Sequence, residues 1–194
     1  MAASAEHLQA GHSELKFHHP PRRMNQVGLW LFFFSETFLF GAMITARFYI
    51  SGTSKPEHLN QMLGLAITTV LLLSSVTAYQ SEAAIKRGQV GLCLAYLFAT
   101  MAMGVVFVGG VTLEWATAEF HPWSPYGTAF FSMTGLHATH VVSGIVILFL
   151  VYRLARRGRF TAERTWPVEA AVKYWHFVDV VWVFFYPALY LLHW

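Results

Sequence analysis

The chain has 194 residues, of which 56% are hydrophobic and 12% charged, with 17 Phe, 8 Tyr, 7 Trp and a formal net charge of +3. A soluble domain carries about 25% charged residues, so this composition belongs to a membrane and leaves little for a water-soluble domain. One cysteine, Cys93, excludes a disulfide, a Cys-pair zinc site or an iron–sulfur cluster within the chain.

Residues 1–24 are polar, holding His7, His12, His18, His19, Lys16, Arg22 and Arg23. They read as a solvated tail, because no apolar segment precedes a cleavage site as in a signal peptide. Five apolar runs follow, at about 26–50, 59–79, 90–113, 126–153 and 168–194. Each approaches the roughly 20 residues that a bilayer-crossing helix needs. The expected fold is therefore all-α: a polytopic five-helix transmembrane bundle over residues 25–194. No period signals a solenoid.

The first run places Glu36 about eleven residues in. The second carries Thr68, Thr69, Ser74, Ser75 and Thr77, small hydroxyl residues suited to close helix packing. Cys93 in the third reads as a packing residue. His137 and His140 in the fourth lie three apart, on one helix face, as do His176 and Asp179 in the fifth, with Trp182 and Tyr186 continuing that stripe. Thr165 is placed to cap the fifth helix, with Pro167 and Glu169 in its first turn and a kink expected at Pro187.

Sorting Lys and Arg by side puts Lys16, Arg22, Arg23, Lys86, Arg87 and those from Arg153 to Lys173 on one face, against Arg47 and Lys55 on the other. The positive-inside rule then sets the N-terminus inside and the C-terminus outside. Topology and anionic lipid account for the net charge, and nothing argues for nucleic acid. Trp115, Trp123, Trp166 and Trp175 fall near span ends, where interfacial indoles belong, whereas Trp182 is expected to be buried mid-span.

A titratable group in hydrocarbon costs roughly 2.5–3.5 kcal/mol on insertion scales, so Glu36, His137, His140, His176 and Asp179 need a reason. For Glu36 the readings are a hydrogen-bonded structural carboxyl or a proton relay. Metal ligation by His137 and His140 would need further ligands from other helices. A two-helix haem would need a pair of spans each with two well-separated histidines, which is not the pattern here. The preferred account is one internal polar network of these five residues across the first, fourth and fifth helices, since buried polar groups destabilise unless paired.

"LFFFSETFLFGAMITARFY" (31–49), "YGTAFFSMTGLHATHVVSG" (126–144) and "YWHFVDVVWVFFYPALY" (174–190) resemble subunit III of the haem–copper respiratory oxidases, with weaker matches in "NQMLGLAITTVLLLSSVTA" (60–78) and "LEW" (113–115). The resemblance implies a non-catalytic membrane subunit of a proton-pumping terminal oxidase that reduces O2 to water. It implies no cofactor in this chain, haem and copper in a partner catalytic subunit, and bound structural phospholipids. Expected partners are subunit I, subunit II, a small subunit IV and other respiratory complexes in a bacterial inner membrane.

In that family Glu36 matches an intramembrane carboxyl, His137 and His140 paired histidines, and His176 and Asp179 a fifth-helix pair. The length resembles the five-helix bacterial form, without the two helices that wall a lipid-filled cleft in larger members. Arg47 stands where the family usually has an apolar or aromatic residue, so it is read as snorkelling to a lipid phosphate or meeting a partner; Trp182 is grouped with it as a candidate lipid or partner contact. The rival functions are a freestanding proton-coupled transporter using Glu36 and Asp179, a haem electron carrier, and an accessory homologue in nitric oxide reduction.

Overall fold

The computed structural model describes residues 22–53, 60–160 and 165–192. Most of the expected tail, along with Lys55 and Arg164, lies outside the described residues. Among those described there are five α-helices and no strand: α1 (Arg22–Ser51), α2 (Gln61–Lys86), α3 (Val90–Thr117), α4 (Pro125–Arg156) and α5 (Trp166–Tyr186), the last followed by a π-helical turn, Pro187–Leu191. Helices α1 to α4 are long and apolar enough to cross a bilayer; α5 has 21 residues and carries Glu169, Lys173 and Asp179.

Helix ends follow local chemistry. The Asn60 side chain accepts from Leu63 N at 3.1 Å and Ser124 Oγ from Gly127 N at 3.0 Å, satisfying N–H groups that the first turn leaves without intrahelical partners. At the other ends of α2 and α4, Gly88 (φ 74°) and Gly158 (φ 68°) adopt the left-handed conformation. Gly88 N donates to Ile85 O and Gln89 N to Ala84 O, and the same pair of bonds recurs after α4. This Schellman closure favours glycine, because a Cβ is penalised at such φ. Helix α2 continues past the expected stop at residue 79 because Ser81, Ala84 and Ile85 prolong its buried face.

Phe33 onward forms one compact unit, and the first turns of α1 fall outside it. Within it, α2 packs on α3, α3 on α4, α4 on α5 and α5 back on α2. Trp175 fills the centre of that ring of helices. A Cβ on Gly104 of α3 would stand 2.6 Å from its indole, and one on Gly144 of α4 2.9 Å. Only glycine lets both helices approach this ring, and the indole N–H donates to Ser74 Oγ of α2 at 2.8 Å. Trp175 is thus 1% exposed rather than interfacial, because a hydroxyl acceptor and two bare backbones await it inside. Trp123, by contrast, is exposed as its position suggested.

Candidate functional site: an intramembrane polar cluster

The five residues singled out as one network separate into three groups. In the first, His140 Nε2 lies 3.2 Å from Glu36 Oε2, joining α4 to α1, while His140 Nδ1 lies 2.9 Å from the Leu136 carbonyl. A carbonyl only accepts, so Nδ1 carries a hydrogen. The Nε2–Oε2 contact then holds one proton, either on the carboxyl or on the ring. Phe40 packs edge-on against His140, with centroids 4.8 Å apart, and Ser143, which donates to His140 O, reaches Tyr174 OH at 2.6 Å.

The second group joins α2 to α5. Ser75 donates its only hydroxyl hydrogen to Asp179 Oδ2, so the 3.0 Å contact from Ser75 Oγ to His176 Nδ1 has the imidazole as donor. Asp179 is 3% exposed, and its Oδ1 has no hydrogen-bond partner among the described residues. One turn on, Trp182 donates to Thr68 Oγ1 of α2 at 2.9 Å.

His137 stands apart from both. Its Nε2 donates to the Val178 carbonyl at 3.1 Å, Nδ1 has no hydrogen-bond partner among the described residues, and the ring is packed against Trp182 and Phe107. His137 and His140 share a helix face but serve different neighbours, which is why one connected network does not form. Among the described residues no group of three His, Cys, Asp or Glu side chains is placed to hold a metal ion.

The hydroxyls of α2 prove to be cross-helix groups. Thr68 and Ser74 receive the two indoles, Ser75 serves α5, and Thr77 Oγ1 lies 2.7 Å from Thr100 Oγ1 of α3, whereas Thr69 bonds only its own helix at Leu65 O. Thr165 occupies the N-cap of α5 as expected, but its hydroxyl donates to Glu169 Oε1 at 2.6 Å instead of accepting from the backbone.

A fourth group was not foreseen. Glu114 of α3, 3% exposed, accepts from Tyr190 OH at 2.6 Å. Tyr126 OH donates to Leu189 O at 2.8 Å and Gln61 Nε2 to Tyr190 O at 3.0 Å. The reason lies at Pro187. From Pro187 the helix passes out of α geometry into a π turn closed by Leu192 N on Pro187 O, and carbonyls of that turn accept from side chains of α2 and α4.

Arg47 belongs here too. Its Nη1 donates to Ser51 Oγ at 2.6 Å and Gly52 O at 2.7 Å, and its guanidinium lies 4.9 Å from the centre of the Tyr126 ring. Both Arg47 and Trp182 are 0% exposed: Trp182 is buried mid-span as expected, and neither side chain is left on the surface to meet lipid or a partner. Trp182 finds its acceptor on Thr68 of α2, and Arg47 pairs acceptors at the end of its own helix with the Tyr126 ring of α4. Glu114, an acid flanked by Leu113 and Trp115 near a span end, was the available signal for this group.

Long apolar helices with their polar side chains spent on one another define a polytopic helical membrane protein. Residues 11–194 match the family described as cytochrome c oxidase subunit III. The chain is 34% identical over 181 residues to "Cytochrome c oxidase subunit 3" of Thermostichus vulcanus, covering 90% of this chain and 89% of the relative. It is 33% identical over 193 residues to the protein of that name from Rhinoceros unicornis, covering 92% and 74%. The chain belongs to the cytochrome c oxidase subunit III family. Membership makes it a non-catalytic membrane subunit of a haem–copper terminal oxidase.

Proposed function

We propose that this subunit braces the catalytic subunit of a proton-pumping oxidase in a bacterial inner membrane, with its N-terminus inside and α5 as a fifth span. Haem and copper reside in subunit I and subunit II beside it, where O2 is reduced to water. The intramembrane groups Glu36, His137, His140, His176 and Asp179 are positioning residues that fix how α1, α2, α4 and α5 meet. Bound phospholipids and support of proton uptake belong to the same reading. The observation that carries it is the inward commitment of the polar side chains: Glu36 to His140, and Ser75 to both His176 and Asp179.

The test is purification of the tagged chain from its native membranes, with an optical spectrum of whatever accompanies it. A haem-containing partner should co-purify. Glu36→Gln should leave that association intact, because an amide keeps the hydrogen bond to His140, whereas Asp179→Leu should weaken it by removing the acceptor of Ser75, the side chain that ties α2 to α5. A colourless, solitary chain that takes up protons in vesicles, and stops doing so as Glu36→Gln, would replace the proposal with a transporter. If both variants co-purify and turn over like the parent, the bracing role of these side chains is wrong.

A further inference from the structure

Between α3 and α4 runs an open apolar groove of about 410 Å³, lined by Val105, Gly109 and Thr112 on one side and Val142, Ile145 and Val146 on the other. At 100° per residue, Val142, Val146, Phe149, Arg153 and Arg156 of α4, with Arg157 at its C-cap, share a wedge of about 100°. Val142, Val146 and Phe149 are about half exposed, and the three arginines are exposed.

The groove's wall therefore leads directly to a cationic end. Val142 and Arg153 are eleven residues apart in one helix, about 16 Å at 1.5 Å per residue. That matches one leaflet of a hydrocarbon core about 30 Å thick.

Side chains on a helix lean toward its N-terminus, so the arginines of α4 lean back toward the groove. Arg153 does so visibly, with its guanidinium 5.9 Å from the centre of the Phe149 ring. The charge is unopposed along both walls: α4 has no acidic residue and α3 only Glu114, at its far end. A Cβ on Gly109 would meet nothing within 4 Å, so the groove has open floor there.

We infer that this face holds one anionic phospholipid, its acyl chain in the α3–α4 groove and its phosphate between Arg153 and Arg157. A planar guanidinium grips phosphate oxygens in pairs, and a second one selects a headgroup with net negative charge over a zwitterion. The inference requires only that the chain sit in a bilayer. It goes beyond the bracing role by naming a lipid class and a place for it.

The experiment uses the full chain purified with its native partners and incubated with phosphatidylglycerol carrying a photoactivatable group on its acyl chain. Adducts should map to the groove segments around residues 105–112 and 142–146, and phosphatidylcholine with the same group should label them weakly. Arg153→Gln with Arg157→Gln should lower the yield at least about tenfold, each arginine near a membrane surface contributing about fivefold. Gly109→Leu should lower it comparably with every arginine in place, by filling the groove. Lys86→Gln with Arg87→Gln, the same charge loss at the end of α2, should leave it unchanged.

Equal labelling by phosphatidylcholine, insensitivity to either set of variants, or cross-linking of a photoreactive residue at Val146 to a partner protein instead of lipid would overturn the inference. The haem spectrum of the same sample scores the bracing role separately.

Discussion

Helix α5 is gripped in two contrasting ways. Against α2 it sets two tryptophans, each with its N–H on a serine or threonine, and Asp179 on a third hydroxyl. Against α1 it sets phenylalanines: Phe177 stacks on Phe33 at 4.9 Å and Phe185 meets Phe40 edge-on at 5.6 Å, beside a cavity of about 150 Å³ lined by Thr37, Gly41 and Val181 among others. The α2 seam is close and directional because its residues are small enough for an indole to reach a partner's hydroxyl. The α1 contact is looser, with Phe34 and Phe38 turned outward at 64% and 65% exposure. In a bilayer, where apolar surface gains little by leaving lipid for protein, close packing and hydrogen bonds decide which contact is strong.

Deleting the indole at the centre of the strong seam is expected to have the largest effect. Trp175→Ala should cost about 3–5 kcal/mol, read as loss of the folded fraction in a denaturant titration in detergent. A cost no greater than that of truncating Phe177 would erase the distinction between the seams.

Next comes a matched pair of glycines. Gly144→Ala should cost about 1–3 kcal/mol by overpacking against Trp175. Gly41→Ala, whose added carbon meets nothing within 4 Å, should stay within about 0.5 kcal/mol of the parent. The same titration measures both, and equal effects would mean that Trp175 is not wedged as described.

Smaller again is Ser74→Ala, which strips the acceptor from the Trp175 N–H. Interhelical hydrogen bonds in membranes average about 0.6 kcal/mol with a maximum near 1.7, and the loss should fall in that range. Trp175→Phe, lacking the N–H, should make the serine change almost silent in a double-mutant cycle.

The smallest effect is expected at α1. Glu36 and His140 are 18% and 15% exposed, and Glu36→Gln should change stability by less than about 1 kcal/mol. A larger loss would show that α1 hangs on this pair rather than on its phenylalanines.

Much of the helical plan was readable before any coordinates. Apolar runs announced the helices and Thr165 marked the start of α5; the caps at Asn60 and Ser124 and the stops at Gly88 and Gly158 emerged with the structure, though they too are set by neighbours in the chain. The hydroxyl-rich second run was correctly read as a packing surface, yet nothing in it said which hydroxyl would meet which indole. His137 and His140 illustrate the limit. Their spacing put them on one face, but whether they shared a network depended on Val178 and Glu36 arriving from other helices.

What the sequence determined by itself was the kind of protein: its hydropathy allows little except long helices in lipid, since only a helix satisfies its own backbone there. Tertiary structure alone decided that Arg47 turns inward, that the Trp182 N–H meets Thr68, that Trp175 leaves the interface for a slot between two glycines, and that Glu114 joins Tyr190 in a buried cluster. The reason is that a polar side chain inside a membrane goes wherever acceptors and space converge, and that convergence involves residues a hundred positions apart.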